Sequence, residues 1–153
     1  VFLTAAHAVD EVGEVVSLTS LSGETLAATV AALHSLEDAA FLVAEVEPGF
    51  RPWLPMESRP LQLYEPLRIE GFALGEFPAL YQGFASSQNV TSCLGVQGCS
   101  GGAVLDSDGH LIGILDSFAI VPDGHWMCHV TNITLIASIA PWLNEMIRRT
   151  TTM

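Results

Sequence analysis

Short runs in which apolar and β-branched residues alternate with polar ones recur along the chain, over residues 14–19, 25–33, 40–46, 67–73, 103–105, 111–115 and 126–130. A period of two sends successive side chains to opposite faces of a strand, so these runs predict a mainly β chain. Between them, Ser22-Gly23-Glu24, Pro48-Gly49, Asp106-Ser107-Asp108-Gly109 and Pro122-Asp123-Gly124 supply residues that accept tight turns and positive φ. Hairpins are expected at those points. After Ser138 the period changes: Ile139, Leu143, Met146 and Ile147 fall on one helical face, with Pro141 in the first turn and Arg148 and Arg149 in the last. That spacing predicts a terminal helix over about 138–149, packed against the sheets. Val1-Phe2-Leu3 reads as a strand already under way, which makes the chain look truncated at its start.

Composition narrows the class. With 153 residues, half of them hydrophobic and 14% charged, the chain is too apolar for disorder and long enough for one packed domain. Its longest apolar runs, such as Val1 to Leu3 and Ala39 to Ala44, fall far short of the roughly 18–20 residues that cross a bilayer, so no membrane-spanning helix is expected. Seventeen Asp and Glu against five Lys and Arg give a net charge of −12, which would repel a phosphate backbone and argues against nucleic acid as a partner. The three cysteines, Cys93, Cys99 and Cys128, lack the paired spacing of a zinc site. In His125-Trp126-Met127-Cys128-His129, one Cys and two His leave a metal without a fourth ligand, so neither metal nor other cofactor is expected.

Gly98-Cys99-Ser100-Gly101-Gly102 sets a serine in a glycine-rich turn just before the run Ala103 to Leu105. Glycines there let a substrate approach the backbone, which makes Ser100 a candidate nucleophile. The same letters fit the nucleophile elbow of α/β-hydrolases, but that elbow needs a helix after the serine, and here a hairpin pattern follows. Any basic and acidic partners must therefore lie upstream. Leu3-Thr4-Ala5-Ala6-His7 offers a histidine after small residues, and Leu36-Glu37-Asp38-Ala39-Ala40-Phe41-Leu42 offers adjacent acids at the edge of an apolar run. The order is His, Asp, Ser. The remaining histidines, His34, His110, His125 and His129, have no acid at a telling spacing and read as structural.

These three motifs, in this order, resemble those of the chymotrypsin-like (trypsin-like) serine peptidases, especially the HtrA (Do-like) branch. The resemblance runs from Val1 to about Leu115, and residues 136–149 are similar to the carboxy-terminal helix of chymotrypsin-like members. It implies an all-β fold of two antiparallel β-barrels in one peptidase domain spanning 1–153: a first barrel over about 1–50, a connector over about 51–66, a second barrel over about 67–135, then the helix. It further implies a serine endopeptidase acting on polypeptides through an acyl-enzyme. Ser100 would be the nucleophile, His7 the general base and Asp38 the orienting acid. The backbone N–H groups of Gly98 and Ser100 would form the oxyanion hole.

The sequence also departs from that family. Cys99 replaces the aspartate that usually precedes the nucleophile, so activation by zymogen cleavage is not expected. Leu94 occupies the usual base of the substrate pocket, which implies a small or apolar preferred side chain. Asp116, Ser117 and Phe118 lie on the substrate-binding edge, with Asp116 and Phe118 where a serine and a glycine are usual. All-β barrel domains commonly need roughly 200–250 residues. Strands are therefore expected to be missing at the start and between Gly75 and Ser100, leaving a partner chain or missing segment to complete the barrels. The alternative reading is a catalytically silent relative that binds peptides or a protein partner.

Overall fold

The computed structural model describes residues 1–46, 54–93, 95, 97–124 and 126–151, without the side chains of 121, 123 and 126–128. The Pro48-Gly49 turn, the first residues of the connector, Leu94 and His125 lie outside the described residues. The chain divides into two compact units, residues 1–53 with 139–153, and residues 54–138.

The first unit is built on an antiparallel sheet of β1 (Phe2–Thr4), β2 (Val15–Thr19), β3 (Thr25–Leu33) and β4 (Ala40–Val43) in the order β1-β4-β3-β2. Ser20 closes the β2–β3 hairpin by donating its N–H to the carbonyl of Glu24 at 2.8 Å, at the predicted Ser-Gly-Glu turn. Alternation along β3 buries Ala28 and Val30 beside Ala40 and Leu42 of β4, with Phe2, Val9, Val16, Leu18 and Leu33 packed against them. Several of these core residues are small, so each contributes little apolar area.

The helix α1 (Ile136–Thr151) starts directly after the last strand and contributes Ile139 onward to this unit. Pro141 consequently lies in its second turn and not its first, where the missing N–H leaves the Ala137 carbonyl without its helical donor. Leu143 is buried, and Trp142 meets Phe41 and His34 edge-on at centroid distances of 6.3 and 5.2 Å. In the last turn Arg148 and Arg149 both bond Glu145, and these hydrogen bonds hold its carboxyl at about 2.

The second unit contains β5 (Pro66–Ala73), β6 (Phe77–Phe84), β7 (Val90–Thr91), β8 (Ala103–Leu105), β9 (Leu111–Asp123) and β10 (Trp126–Leu135) in the order β6-β5-β8-β9-β10-β7. The two ends of that order meet: Ala85 bridges Thr91, and Ser92 donates its N–H to Phe84 at 2.9 Å. The sheet thus curls back on itself around Leu61, Leu67, Ile69, Val104, Ile112, Leu115 and Ile133. Between Gly75 and Ser100, where no strand is read from the pattern, β6 and β7 are present. Pro78 and Gly83 hide β6 from a propensity reading; Pro78 pairs Phe72 near the hairpin tip, where a lost N–H costs little.

The Asp106–Gly109 turn joins β8 to β9 as predicted. Asp106 Oδ1 accepts the N–H groups of Asp108 and His110 at 3.0 and 2.9 Å. Its Oδ2 accepts Arg59 Nη2 at 3.0 Å, while the same guanidinium grips Glu65 in a two-pronged pair at 2.8 and 2.9 Å. Burial pushes the Asp106 carboxyl up, but the His110 N–H, the Arg59 guanidinium and the Asp108 N–H more than offset it and hold it below the ordinary value. No helix among the described residues is long and apolar enough to cross a membrane.

Candidate active site

The antiparallel register of β1 and β4 places two of the expected residues. Thr4 pairs with Ala40, so His7, three residues beyond Thr4, and Asp38, two residues before Ala40, both run past the same end of the sheet. A single 3-10 turn, Ala6–Ala8, follows β1, with Ala5 fully buried beneath it. A larger residue at this buried position would have to displace its neighbours, in keeping with the small-residue run ahead of the histidine. The turn presents His7 with its side chain about half exposed.

Asp38 engages His7 with both carboxylate oxygens. Oδ1 accepts the His7 backbone N–H at 2.9 Å, and Oδ2 makes a short hydrogen bond to ring Nδ1. With Nδ1 as donor, the neutral imidazole keeps its free lone pair on Nε2, the state a general base requires. Of the two adjacent acids, it is Asp38 and not Glu37 that makes these bonds. The turn that carries Asp38 is held by His34, whose Nδ1 accepts the N–H groups of Leu36 and Glu37 at 3.1 and 2.9 Å. His34 is in turn packed against Trp142. Neither supporting residue was identifiable from spacing, because Trp142 lies 108 positions away.

In the second unit Ser100 sits on the turn before β8, tied to β9 by Gly101 N–H to Leu115 carbonyl at 2.7 Å and Leu115 N–H to Gly102 carbonyl at 2.9 Å. Gly98 has φ +92°, and a Cβ there would lie 2.2 Å from the Gly75 nitrogen and 2.6 Å from that of Leu74. At Gly102 a Cβ would lie 2.6 Å from the Glu70 carbonyl oxygen. Both glycines are therefore required for the turn to lie against the β5–β6 hairpin. Neither the N–H of Gly98 nor that of Ser100 donates to an acceptor among the described residues. Cys99 turns into the barrel core at 1% exposure while Ser100 remains partly exposed, so the two neighbours point opposite ways.

Asp116 is the extra residue of a β-bulge, because Leu115 pairs with Ile133 and Ser117 with Asn132. The bulge turns the Asp116 carbonyl toward the Ser100 hydroxyl, which donates to it at a long 3.4 Å. Ser117 is exposed and accepts from Asn132 Nδ2 at 3.4 Å. Phe118 stacks on His129. Leu94, the fourth expected pocket residue, lies outside the described residues.

His110, whose sequence offers no acid at a telling spacing, has its Nδ1 3.1 Å from Glu57 Oε2 and 3.7 Å from Asp106 Oδ2. Glu57, Asp106 and His110 bring donor atoms within 4.8 Å of one another. Arg59, 3.0 Å from Asp106 and 3.5 Å from Glu57, already supplies the positive charge there, so the cluster fits an ion-pair network better than a cation site.

Residues 1–114 match the family profile described as trypsin-like peptidase domain. No curated protein sequence matches the chain. Among solved structures, the serine endoprotease from Yersinia pestis superposes with a TM-score of 0.77 at 22% identity, over 95% of this chain and 53% of that one. The chain thus spans about half the length of that relative, and at this identity the likeness speaks for the fold alone. With a profile match over most of its length, two antiparallel sheets and a terminal helix, the chain belongs to the trypsin-like, or chymotrypsin-like, serine peptidase family.

Proposed function

We propose that the chain is a serine endopeptidase that cleaves polypeptides as one two-halved peptidase domain, and the observation that carries this reading is the two-oxygen grip of Asp38 on His7. A serine hydroxyl is a weak nucleophile near neutral pH and needs a positioned base. In the proposed cycle Ser100 Oγ adds to the substrate carbonyl carbon as its proton passes to His7 Nε2. The carbonyl π electrons move onto oxygen, and the Gly98 and Ser100 N–H groups receive that charge. Collapse expels the amine, which takes the proton from Nε2 and leaves an acyl-enzyme. Water, deprotonated by the same nitrogen, then releases the acid and regenerates Ser100. Asp38 keeps Nδ1 protonated and stabilises the imidazolium throughout. By the same reading Leu94, Asp116, Ser117 and Phe118 line the substrate pocket.

A fluorophosphonate probe tests this directly. Wild-type protein should label and Ser100→Ala should not, while Asp38→Asn should lower kcat by about 10⁴-fold, as loss of the correct tautomer does in comparable triads. A folded wild type that stays unlabelled overturns the enzyme reading. The side chain at Phe118, where relatives usually keep glycine, is the observation that favours the second reading, a silent peptide-binding relative. That reading predicts peptide binding that survives His7→Ala without any turnover.

A further inference from the structure

His129 of β10 lies face to face with Phe118 of β9, ring centroids 5.3 Å apart and planes only 8° from parallel. Its Nε2 accepts the backbone N–H of Gly95 at 3.1 Å and sits 3.0 Å from the hydroxyl of Thr131. Because the amide can only donate, Nε2 serves as the acceptor in that bond.

Gly95 is held closely. A Cβ at that position would meet Thr131 side-chain atoms at 3.3 and 3.4 Å and the Cβ of Phe118 at 3.5 Å. Thr131 is fully buried and pairs with Phe118 across the strands. One imidazole therefore joins three parts of the second unit: the chain five residues before Ser100, the β9 edge at Phe118, and the β10 interior at Thr131.

We propose that His129 is a positioning residue that fixes Gly95 against the β9 edge and thereby sets which substrate side chain is accepted next to the scissile bond. This rests on the serine peptidase reading above. His129 touches no reacting atom in it; it acts by holding two stretches of chain at a fixed separation, one hydrogen-bonded and one stacked. A wall held only by backbone turns would breathe, and selectivity between side chains of different size would fall.

Two variants separate the functions of the ring. His129→Phe keeps the stack on Phe118 and removes the acceptor; His129→Gln retains an acceptor and removes the stack. Amide hydrogen exchange at Gly95 should accelerate by at least about tenfold in His129→Phe and by far less in His129→Gln, since only the first leaves that N–H without its partner. Thermal unfolding of both variants checks that they remain folded. With fluorogenic peptides differing only in the residue before the scissile bond, the ratio of kcat/KM between the best and worst peptide should fall about tenfold in His129→Phe, mainly through KM. His129→Gln should restore most of it, and fluorophosphonate labelling of Ser100 should change far less than the ratio.

Unchanged Gly95 exchange in His129→Phe overturns the proposal. So does faster exchange with an unaltered peptide profile. If wild type itself takes no fluorophosphonate, the peptidase reading has failed separately, and Gly95 exchange still decides whether His129 holds this segment.

Discussion

The sheet that carries His7 and Asp38 ends in two strands, β1 and β2, each paired on one side only among the described residues, whereas the sheet that carries Ser100 curls until its end strands are bridged through Ala85 and Thr91. Their interiors differ in the same sense. Ala28, Val30, Ala40 and Leu42 centre the first; Leu67, Ile69, Val104, Ile112, Leu115 and Ile133 are among those filling the second. A base–acid pair can be aligned by two local hydrogen bonds, so it depends less on how tightly its sheet is packed. The turn bearing Ser100, proposed to present two N–H groups at one point, has no side chain to adjust, and its accuracy comes from close packing on a stiff neighbour. The contrast teaches that the His7–Asp38 pair and the Ser100 turn are held by different means and should fail differently.

The largest expected effect is at the turn. Gly98→Ala combines a positive φ with a Cβ 2.2 Å from the Gly75 nitrogen and should cost about 3 kcal/mol or more, with loss of Ser100 labelling. Gly23→Ala also has positive φ but meets nothing within 4 Å, and should cost only about 1 kcal/mol by urea unfolding with labelling retained. Equal losses would erase the distinction drawn above.

Next come the cores. Ile69→Ala, at a fully buried position of the curled sheet, should cost about 3–4 kcal/mol, and Val30→Ala in the open sheet about 2 kcal/mol, both read from urea midpoints.

Acid should weaken the second unit. Asp106 and Glu65 are held below their ordinary values, for Glu65 chiefly by its hydrogen bonds to Arg59. Folded-state values below the unfolded ones mean that the stability they contribute is present at neutral pH and is lost as pH falls below about 4.5, where unfolded carboxylates begin to bind protons. Arg59→Met should flatten that acid limb in pH-dependent unfolding; an unchanged limb would show that other carboxylates carry it.

His34→Ala removes the acceptor for two N–H groups in the turn bearing Asp38. It should lower kcat by about tenfold with little change in KM, because it loosens the orienting acid and not the substrate contacts. At the bottom of the scale, Glu145→Gln breaks exposed bonds to Arg148 and Arg149 and should leave the Tm unchanged within error.

The ordered motifs around His7, Asp38 and Ser100 were legible because each is a short string whose residue types serve one need. The helix was legible because Ile139, Leu143, Met146 and Ile147 repeat at its period, although its start at Ile136 was not, since strand β10 runs straight into it. Strand β6 was missed because Pro78 and Gly83 break the local pattern, and pairing along all of β5 outweighs them. Asp38 could not be separated from Glu37 in the sequence, as both are acids at the same edge; the β1–β4 register and the turn on His34 make the choice.

What the sequence determined by itself, then, is whatever repeats or clusters within a few residues: the regularly alternating strands, the Ser22–Glu24 and Asp106–Gly109 turns, the helical face, the acidic balance, and the three family motifs. Tertiary structure alone decided the bulge at Asp116, the Arg59 network, the support of Asp38 by His34 and Trp142, and the hold of His129 on Gly95. The physical reason is range. Periodicity and turn chemistry act between neighbours in the chain, whereas hydrogen bonds such as Gly95 to His129, 34 positions apart, exist only after strand register has brought their atoms within about 3 Å.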